Sequence, residues 1–355
     1  MKRLYFLTFC LFAGAVPAFS QAVVNCTQRL RMVRTTYEQG RLHELPGLTE
    51  ACLRGTGGQS FSKEEKKEAY RYLTLSYIYL EEPEKADEMM LQLISLDHFY
   101  EPNKEIDPAE FIALYNKFRT KPVYRLGLTL GLNATFPVVL TNYYVGNEAA
   151  GNGKYSTSFA ISFYGSFEKD ITDKITLAPE LGYVSRAYSY SNANINALDS
   201  TAQGKFPTSQ IFEVSQQWLD LNVIGQYKMS NKNWQTYVGF GPGVSMLLSS
   251  TNLPNTLLSN GFTVTGPSED DTNSYNKLAY SLIATAGVKY RIGDIYFTAN
   301  VRYQFGISNV INNSTRSNPQ IAYSYQGVYN DYRMSNLGVN AGVIYPIFKP
   351  KKLIN

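Results

Sequence analysis

The stretch SLIATAGVKYRIGDIYFTANVRYQFGI, Ser281 to Ile307, decides the fold. Alternate residues from Leu282 onward (Leu282, Ala284, Ala286, Val288, Tyr290) are apolar. Between them lie Ser281, Thr285, Gly287, Lys289 and Arg291, with Ile283 the exception. Gly293-Asp294 forms a tight turn. Ile295, Phe297, Ala299, Val301, Tyr303 and Phe305 then alternate with Thr298, Asn300, Arg302 and Gln304. Period-two alternation marks a strand, and two such runs joined by two turn residues mark a hairpin. One face carries no charge along its length. A charge facing lipid costs about 2–4 kcal/mol at mid-bilayer, so acyl chains are the solvent this face fits.

The same pattern recurs from Tyr124 to Phe348 and predicts eight strands. Near 124–136 the apolar face is Leu126, Leu128, Leu130, Leu132, Ala134 and Phe136. Strands follow near 156–168 (Phe159, Ile161, Phe163, Phe167), 174–190 (Ile175, Leu177, Leu181, Tyr183) and 212–228 (Leu219, Leu221, Val223, Tyr227). The fifth is near 234–249 (Val238, Phe240, Val244, Met246), and the quoted hairpin supplies two more. The last is near 333–348, with Leu337, Val339, Ala341, Val343, Tyr345 and Ile347. Trp218 is out of phase with Leu219 and suggests a bulge, while Pro179 and Pro242 sit awkwardly for ladder bonding. Connections alternate between short (169–173, 229–233, 292–294) and long (137–155, 191–210, 250–274, 307–331). Outer-membrane barrels have this asymmetry, with short periplasmic turns and long external loops. Phe167, Tyr227, Trp234, Tyr290 and Tyr345 at the short-turn ends suit an aromatic girdle. A secreted β-sandwich also alternates. The strands are long for one, and the polar face is small (Gly239, Gly241, Gly243, Ser162, Thr129, Gly338, Gly342) rather than rich in Lys and Glu.

The remainder of the chain reads differently. Residues 1–20 resemble a secretory signal: Lys2 and Arg3, an apolar run from Leu4 to Val16, and small residues at Ala18-Phe19-Ser20. No stretch reaches the roughly 18 apolar residues of a membrane-spanning helix. Residues 21–120 read as a periplasmic helical domain. Leu30, Val33 and Tyr37 keep a helical spacing that stops at Gly40, and a helix from Leu45 to Leu53 follows. Ser62 with Glu65 forms a capping box ahead of Ala69, Leu73, Tyr77 and Leu80. Pro83 opens a helix burying Ala86, Met89, Met90, Leu93 and Leu96, and Pro108 opens another through Phe111, Leu114, Tyr115 and Phe118. Residues 121–123 are a linker, 124–348 the barrel and 349–355 a periplasmic tail. The fold class is therefore α+β multidomain, a small helical domain ahead of an eight-stranded antiparallel transmembrane β-barrel.

Two resemblances bear on this reading. Tyr70–Leu96 resembles a single tetratricopeptide repeat, with Tyr70, Leu73, Tyr77 and Ala86 at its aromatic, apolar, aromatic and small positions. The resemblance makes these four residues a candidate docking face; the alternative is a small helical cap without a groove. Residues 124–348 are similar to the PorT-like outer-membrane barrel domain through Ala178-Pro179-Glu180-Leu181-Gly182-Tyr183 and Tyr237-Val238-Gly239-Phe240-Gly241-Pro242-Gly243. That resemblance implies the barrel fold and a link to secretion or adhesion. The chain departs from the simplest barrels by continuing past Phe348.

The chemistry points away from catalysis. The chain has only 2 His, and both, His43 and His98, lie outside the barrel, so a barrel enzyme relying on imidazole has no base. There is no CxxC, no HExxH and no phosphate loop, and no cofactor or metal is implied. Glu168 and Glu180 are the best candidates for carboxylate chemistry in an envelope hydrolase, with structural pairing favoured. The inward charges Arg125, Glu168, Glu180, Arg186, Asp220, Lys228, Lys289 and Arg302 either line a conduit or pair as a plug, and a barrel this narrow favours the plug. Cys26 and Cys52 are an even pair in an oxidising compartment; they form a disulfide or two buried thiols. Tyr143, Tyr144, Tyr188, Tyr190, Tyr323, Tyr325 and Tyr329 gather near the long loops as an outer girdle or a contact surface. Asp199-Ser200-Thr201 resembles a bacterial O-glycosylation site. Net charge is +4, which supplies no field for nucleic acid. The expected partners are the outer-membrane bilayer and a periplasmic or outer-membrane protein. The expected role is an anchor or accessory component of an envelope or secretion assembly, with a narrow solute channel as the alternative.

Overall fold

The computed structural model of the chain describes residues 25–55, 60–144, 153–192, 207–230, 233–258, 261–316 and 328–353. The signal-like residues 1–20, Asp199-Ser200-Thr201, Tyr323 and Tyr325 lie outside the described residues. The chain divides into two compact units. One runs to Thr120 and includes the segment from Pro350 onward; the other is Lys121–Lys349.

The first unit is helical. Helices α1 (Cys26–Glu38), α2 (Leu45–Arg54), α3 (Lys63–Tyr79), α4 (Pro83–Leu96) and α5 (Ala109–Tyr115) follow one another. Their ends obey local chemistry. The Asn25 side chain accepts from the Gln28 N–H at the start of α1, and Ser62 and Glu65 close a reciprocal capping box on α3. Gly55 ends α2 in the left-handed region, at φ 71°. Pro83 opens α4 where the missing N–H costs nothing. Leu75, Met90, Leu93, Ile94, Phe111 and Phe118 form one buried cluster. Cys26, Leu30, Cys52, Phe61 and Ala69 form another, in which the two cysteines are joined as a disulfide with Cα atoms 5.7 Å apart. The segment after the barrel returns to this unit. Arg119 N–H donates to the Lys351 carbonyl at 2.9 Å and Leu353 N–H to the Lys117 carbonyl at 2.7 Å, and Lys352 pairs with Asp87 of α4 at 2.5 Å.

The second unit is a closed antiparallel ring. Its strands are β1 (Tyr124–Thr141), β2 (Lys154–Thr157), β3 (Phe159–Asp170), β4 (Ile175–Asn192), β5 (Pro207–Lys228) and β6 (Trp234–Leu258). After these come β7 (Thr263–Thr265), β8 (Glu269–Asp270), β9 (Leu278–Ile292), β10 (Ile295–Gly306) and β11 (Asp331–Ile347). The pairing runs β1-β3-β4-β5-β6-β9-β10-β11 and closes with β11 on β1, giving eight staves. β2 pairs with the far end of β4, while β7 and β8 are short additions to β6. Gly293 turns the β9–β10 hairpin at φ 59°, a conformation glycine adopts without Cβ strain.

Three strands outrun the sequence expectation by several residues. β1 continues to Thr141, β5 begins at Pro207 and β6 continues to Leu258, into what reads as loop; in β5 and β6 alternation persists there with polar residues, and Gln210, Ser250 and Asn252 are buried. Trp218 does not mark a bulge in its own strand. It stays in phase with Gln216 and Asp220 and points inward, fully buried; the extra residue is Leu248 opposite, skipped between Gln217↔Ser249 and Trp218↔Leu247. The prolines are accommodated one ladder at a time. β3–β4 pairing lapses beside Pro179 and β5–β6 pairing beside Pro242, where no N–H is available. Each proline keeps its register on the other side, with Val223 and Leu282.

The wall is apolar outward. Leu126, Leu128, Leu130 and Leu132 are 48%, 54%, 63% and 60% exposed, and Phe159, Phe240 and Val339 are comparably bare. A contiguous exposed band of this kind fits lipid and not water. Phe167, Tyr227, Trp234 and Tyr345 are exposed at the short-turn end, where Trp234 lies 4.5 Å from the Tyr290 ring.

Candidate functional site

Alternation sends every second side chain into a ring too narrow to hold bulk water around each one. The inward side chains therefore have to satisfy one another, and they do so in layers. Nearest the short turns, Asp170 takes two bonds from Arg125, at 2.9 and 2.6 Å, and one each from Lys228 at 2.7 Å and Thr176 at 2.6 Å. Lys289 reaches both Glu168 oxygens at 2.7 Å and Gln226 at 2.9 Å. Farther along, Arg302 pairs with Glu180 and lies over the Tyr164 ring at 4.2 Å. Beyond that, Arg186 donates to Asp220 at 2.9 and 2.8 Å and to Ser245 at 3.0 Å, with its guanidinium 4.9 Å from the Trp218 ring. Gln304 adds a bond to Ser281 at 3.0 Å.

All eight charges expected to face inward lie in this network. Asp170 was not among them. It closes β3 beside the turn, so its position reads as turn chemistry, yet it holds two cations. Glu168 and Glu180 are claimed by different cations, which leaves no shared carboxylate pair. Tyr164 stands directly across the β3–β4 ladder from Gly182, where a Cβ would strike its ring, so the glycine is what lets the aromatic ring lie flat beneath Arg302. The apolar exception Ile283 is fully buried inside the ring, as is Ile224.

The loop-end tyrosines divide. Tyr144 is exposed, but Tyr188 is not part of an outer girdle: it is 2% exposed and faces inward. Its hydroxyl meets those of Tyr332 and, at 3.3 Å, Tyr275. Tyr155, Tyr190 and Tyr329 pack around these three and enclose a cavity of about 40 Å³. Inward tyrosines and interfacial tyrosines look alike in sequence; only strand phase separates them. Beside the cavity, Asp271 accepts from the Tyr329 hydroxyl at 2.9 Å, and burial pushes its carboxyl above the usual range.

In the helical unit the candidate docking face does not exist as a face. Leu73 and Ala86 are 3% and 2% exposed, and Tyr70 and Tyr77 are half-buried against Val33 and Leu45. The positions a repeat pattern picks out are those that pack α3 on its neighbours. His98 Nδ1 lies 3.0 Å from the Ile94 carbonyl.

Residues 123–312 match the family described as outer membrane protein beta-barrel domain. No curated protein sequence matches the chain. Among solved structures, neisserial surface protein A is 14% identical, with 65% of this chain covering 97% of that one at a TM-score of 0.29. OprG from Pseudomonas aeruginosa is 12% identical over 64% and 98% of the two chains, at 0.34. The outer membrane protease OmpT from Escherichia coli is 10% identical over 63% and 96%, also at 0.34.

Proposed function

Because the chain belongs to the outer membrane β-barrel domain family through residues 123–312, we propose that it is a closed, non-enzymatic barrel that anchors its helical unit at the outer membrane as an accessory component of an envelope or secretion assembly. The observation that carries this reading is the filled interior. Lys289–Glu168, Arg302–Glu180 and Arg186–Asp220 are buried ion pairs stacked along the ring, each with further hydrogen-bond or ring partners. A solute passing through would have to break them, and uncovering one buried charge costs about 3–5 kcal/mol. The short turns at the β1 and β11 chain ends support a periplasmic helical unit. The PorT-like assignment rests on strand pattern, and the repeat-like character of the helical unit rests on the α3–α4 hairpin. Docking, in this reading, uses the polar outer surfaces of the helices, since the repeat positions are spent on packing.

Purified protein in planar bilayers is expected to give no steady single-channel current. Reproducible unitary currents would replace the anchor with the narrow-channel reading. In whole cell envelopes, crosslinking should lose partners when residues 25–120 are removed, while the barrel still inserts. Retention of every partner would remove the docking role.

A further inference from the structure

Among the described residues seven cations lie over aromatic rings, and six of the seven also hold a carboxylate. In the barrel these are Arg302 on Tyr164 with Glu180, Arg186 on Trp218 with Asp220, Lys289 on Tyr237 with Glu168, and Arg316 on Tyr143 with Asp331. In the helical unit they are Arg71 on Tyr72 with Asp107, and Lys85 on Tyr77 with Glu82. Arg333 is the exception. Its guanidinium lies 4.4 Å from the centre of the Phe305 ring, and no carboxylate among the described residues pairs with it. Its Nε is enclosed without an acceptor, while the two terminal nitrogens, equally unbonded among the described residues, stay open. The nearest acid along the strand, Asp331, is taken by Arg316 and Asn309.

Arg333 also faces the opposite way from the interior cations Arg186, Lys289 and Arg302. It alternates with the buried Tyr332 and Met334 of β11 and stands beside Val138 of β1, on the apolar outer wall. Along β11 it lies about 12 residues from Tyr345 of the short-turn girdle, which at about 3.3 Å per residue and a tilt of about 40° is roughly 30 Å. The apolar band of a barrel is about 25 Å tall, so Arg333 sits just beyond it on the long-loop side, at the depth of lipid headgroups.

We propose that Arg333, held by Phe305, is a site on the outer wall for the phosphate of a membrane lipid, which takes the place a carboxylate holds in the other six. In the orientation proposed above this is the outer leaflet, and that placement rests on that reading. A phosphate offers several oxygens to the open terminal nitrogens, and the guanidinium fork matches its geometry. The Phe305 ring fixes the plane of the fork. Below Arg333 on the same face, Leu337 and Val339 are exposed and give the acyl chains of the same lipid a surface. A neutral lipid would leave the charge unmatched. A soluble anion gains nothing from the apolar wall.

The test uses the full chain in an uncharged maltoside detergent, with bound lipid read by native mass spectrometry. Phosphatidic acid, diacylglycerol with the same chains, and glycerol 3-phosphate are titrated separately. Phosphatidic acid should bind saturably, and the other two about tenfold more weakly or less. Arg333→Gln should weaken phosphatidic acid binding about tenfold. Arg333→Lys should weaken it by less, since an ammonium keeps the charge and loses the fork. Lys169→Gln, which removes an exposed cation from β3 at the short-turn end, should leave binding unchanged. Heat-modifiable gel mobility reports an intact barrel for each variant. If Arg333→Gln does not fold, Phe305→Leu is the second probe and should weaken binding about threefold. Equal binding by the folded probe variant, an equal loss in Lys169→Gln, or diacylglycerol binding as well as phosphatidic acid would overturn the site and leave the barrel reading standing. Glycerol 3-phosphate binding as tightly as the lipid would overturn the lipid as the source. Long loops cut by protease only in permeabilised cells would strike the orientation, and the outer leaflet with it, without touching the titration.

Discussion

The helical unit and the barrel place the same residue types on opposite sides. Leu73 is 3% exposed and Leu130 is 63% exposed. Arg34 and Glu68 pair on the helical surface, with side chains 50% and 28% exposed, while Arg186 and Asp220 pair at 3% and 0%. Neither unit is anomalous. Each buries what its surroundings solvate poorly: apolar groups in water, charged groups in lipid. The difference teaches that burial has no fixed sign for a residue type, and that the sign is set by which solvent lies outside.

The contrast can be broken most forcefully at a buried pair. Asp220→Asn strands Arg186 inside the ring and should cost about 3–5 kcal/mol of barrel stability, read from urea unfolding in detergent, whereas Glu68→Gln on the helical surface should cost under about 1 kcal/mol. Equal effects would mean that the interior is hydrated like a surface. Next in size is the disulfide, which spans a separation of 26 residues. Replacing both cysteines, Cys26→Ser with Cys52→Ser, should cost about 3 kcal/mol in the helical unit by loop entropy and leave barrel heat-modifiability unchanged. The smallest effect is alkaline. Burial pushes the Tyr100 phenol up to about 12 from its ordinary 10.0. Its folded pKa lies above its unfolded one, so this stabilisation is complete below pH 10 and drains away as pH rises toward 12. The helical signal at high pH should weaken while the β signal persists, and Tyr100→Phe should delay the loss. No delay would place the alkaline transition elsewhere.

What could be read in advance follows from the same physics. Period two shows directly in Leu126–Leu132 and in the β9–β10 hairpin, so the eight-stave ring was legible. So were the Ser62–Glu65 cap and the Pro83 helix start, because local chemistry alone determines them. What resisted reading were positions where both faces accept the same side chain. Ile283, Trp218 and Tyr188 are apolar or aromatic and inward in a strand whose outward face is also apolar, so composition cannot assign their side. Asp170 hid in a turn. Leu73 and Ala86 match a repeat pattern, but such a pattern records how helices pack, and its positions are consumed by that packing.

The return of residues 350–353 to the helical unit has a temporal consequence. The Phe118 edge and Asp87 receive their partners only from a segment that follows β11. The unit synthesised first therefore lacks these partners until the last stave has been synthesised, and its completion can serve as a clock for the whole chain.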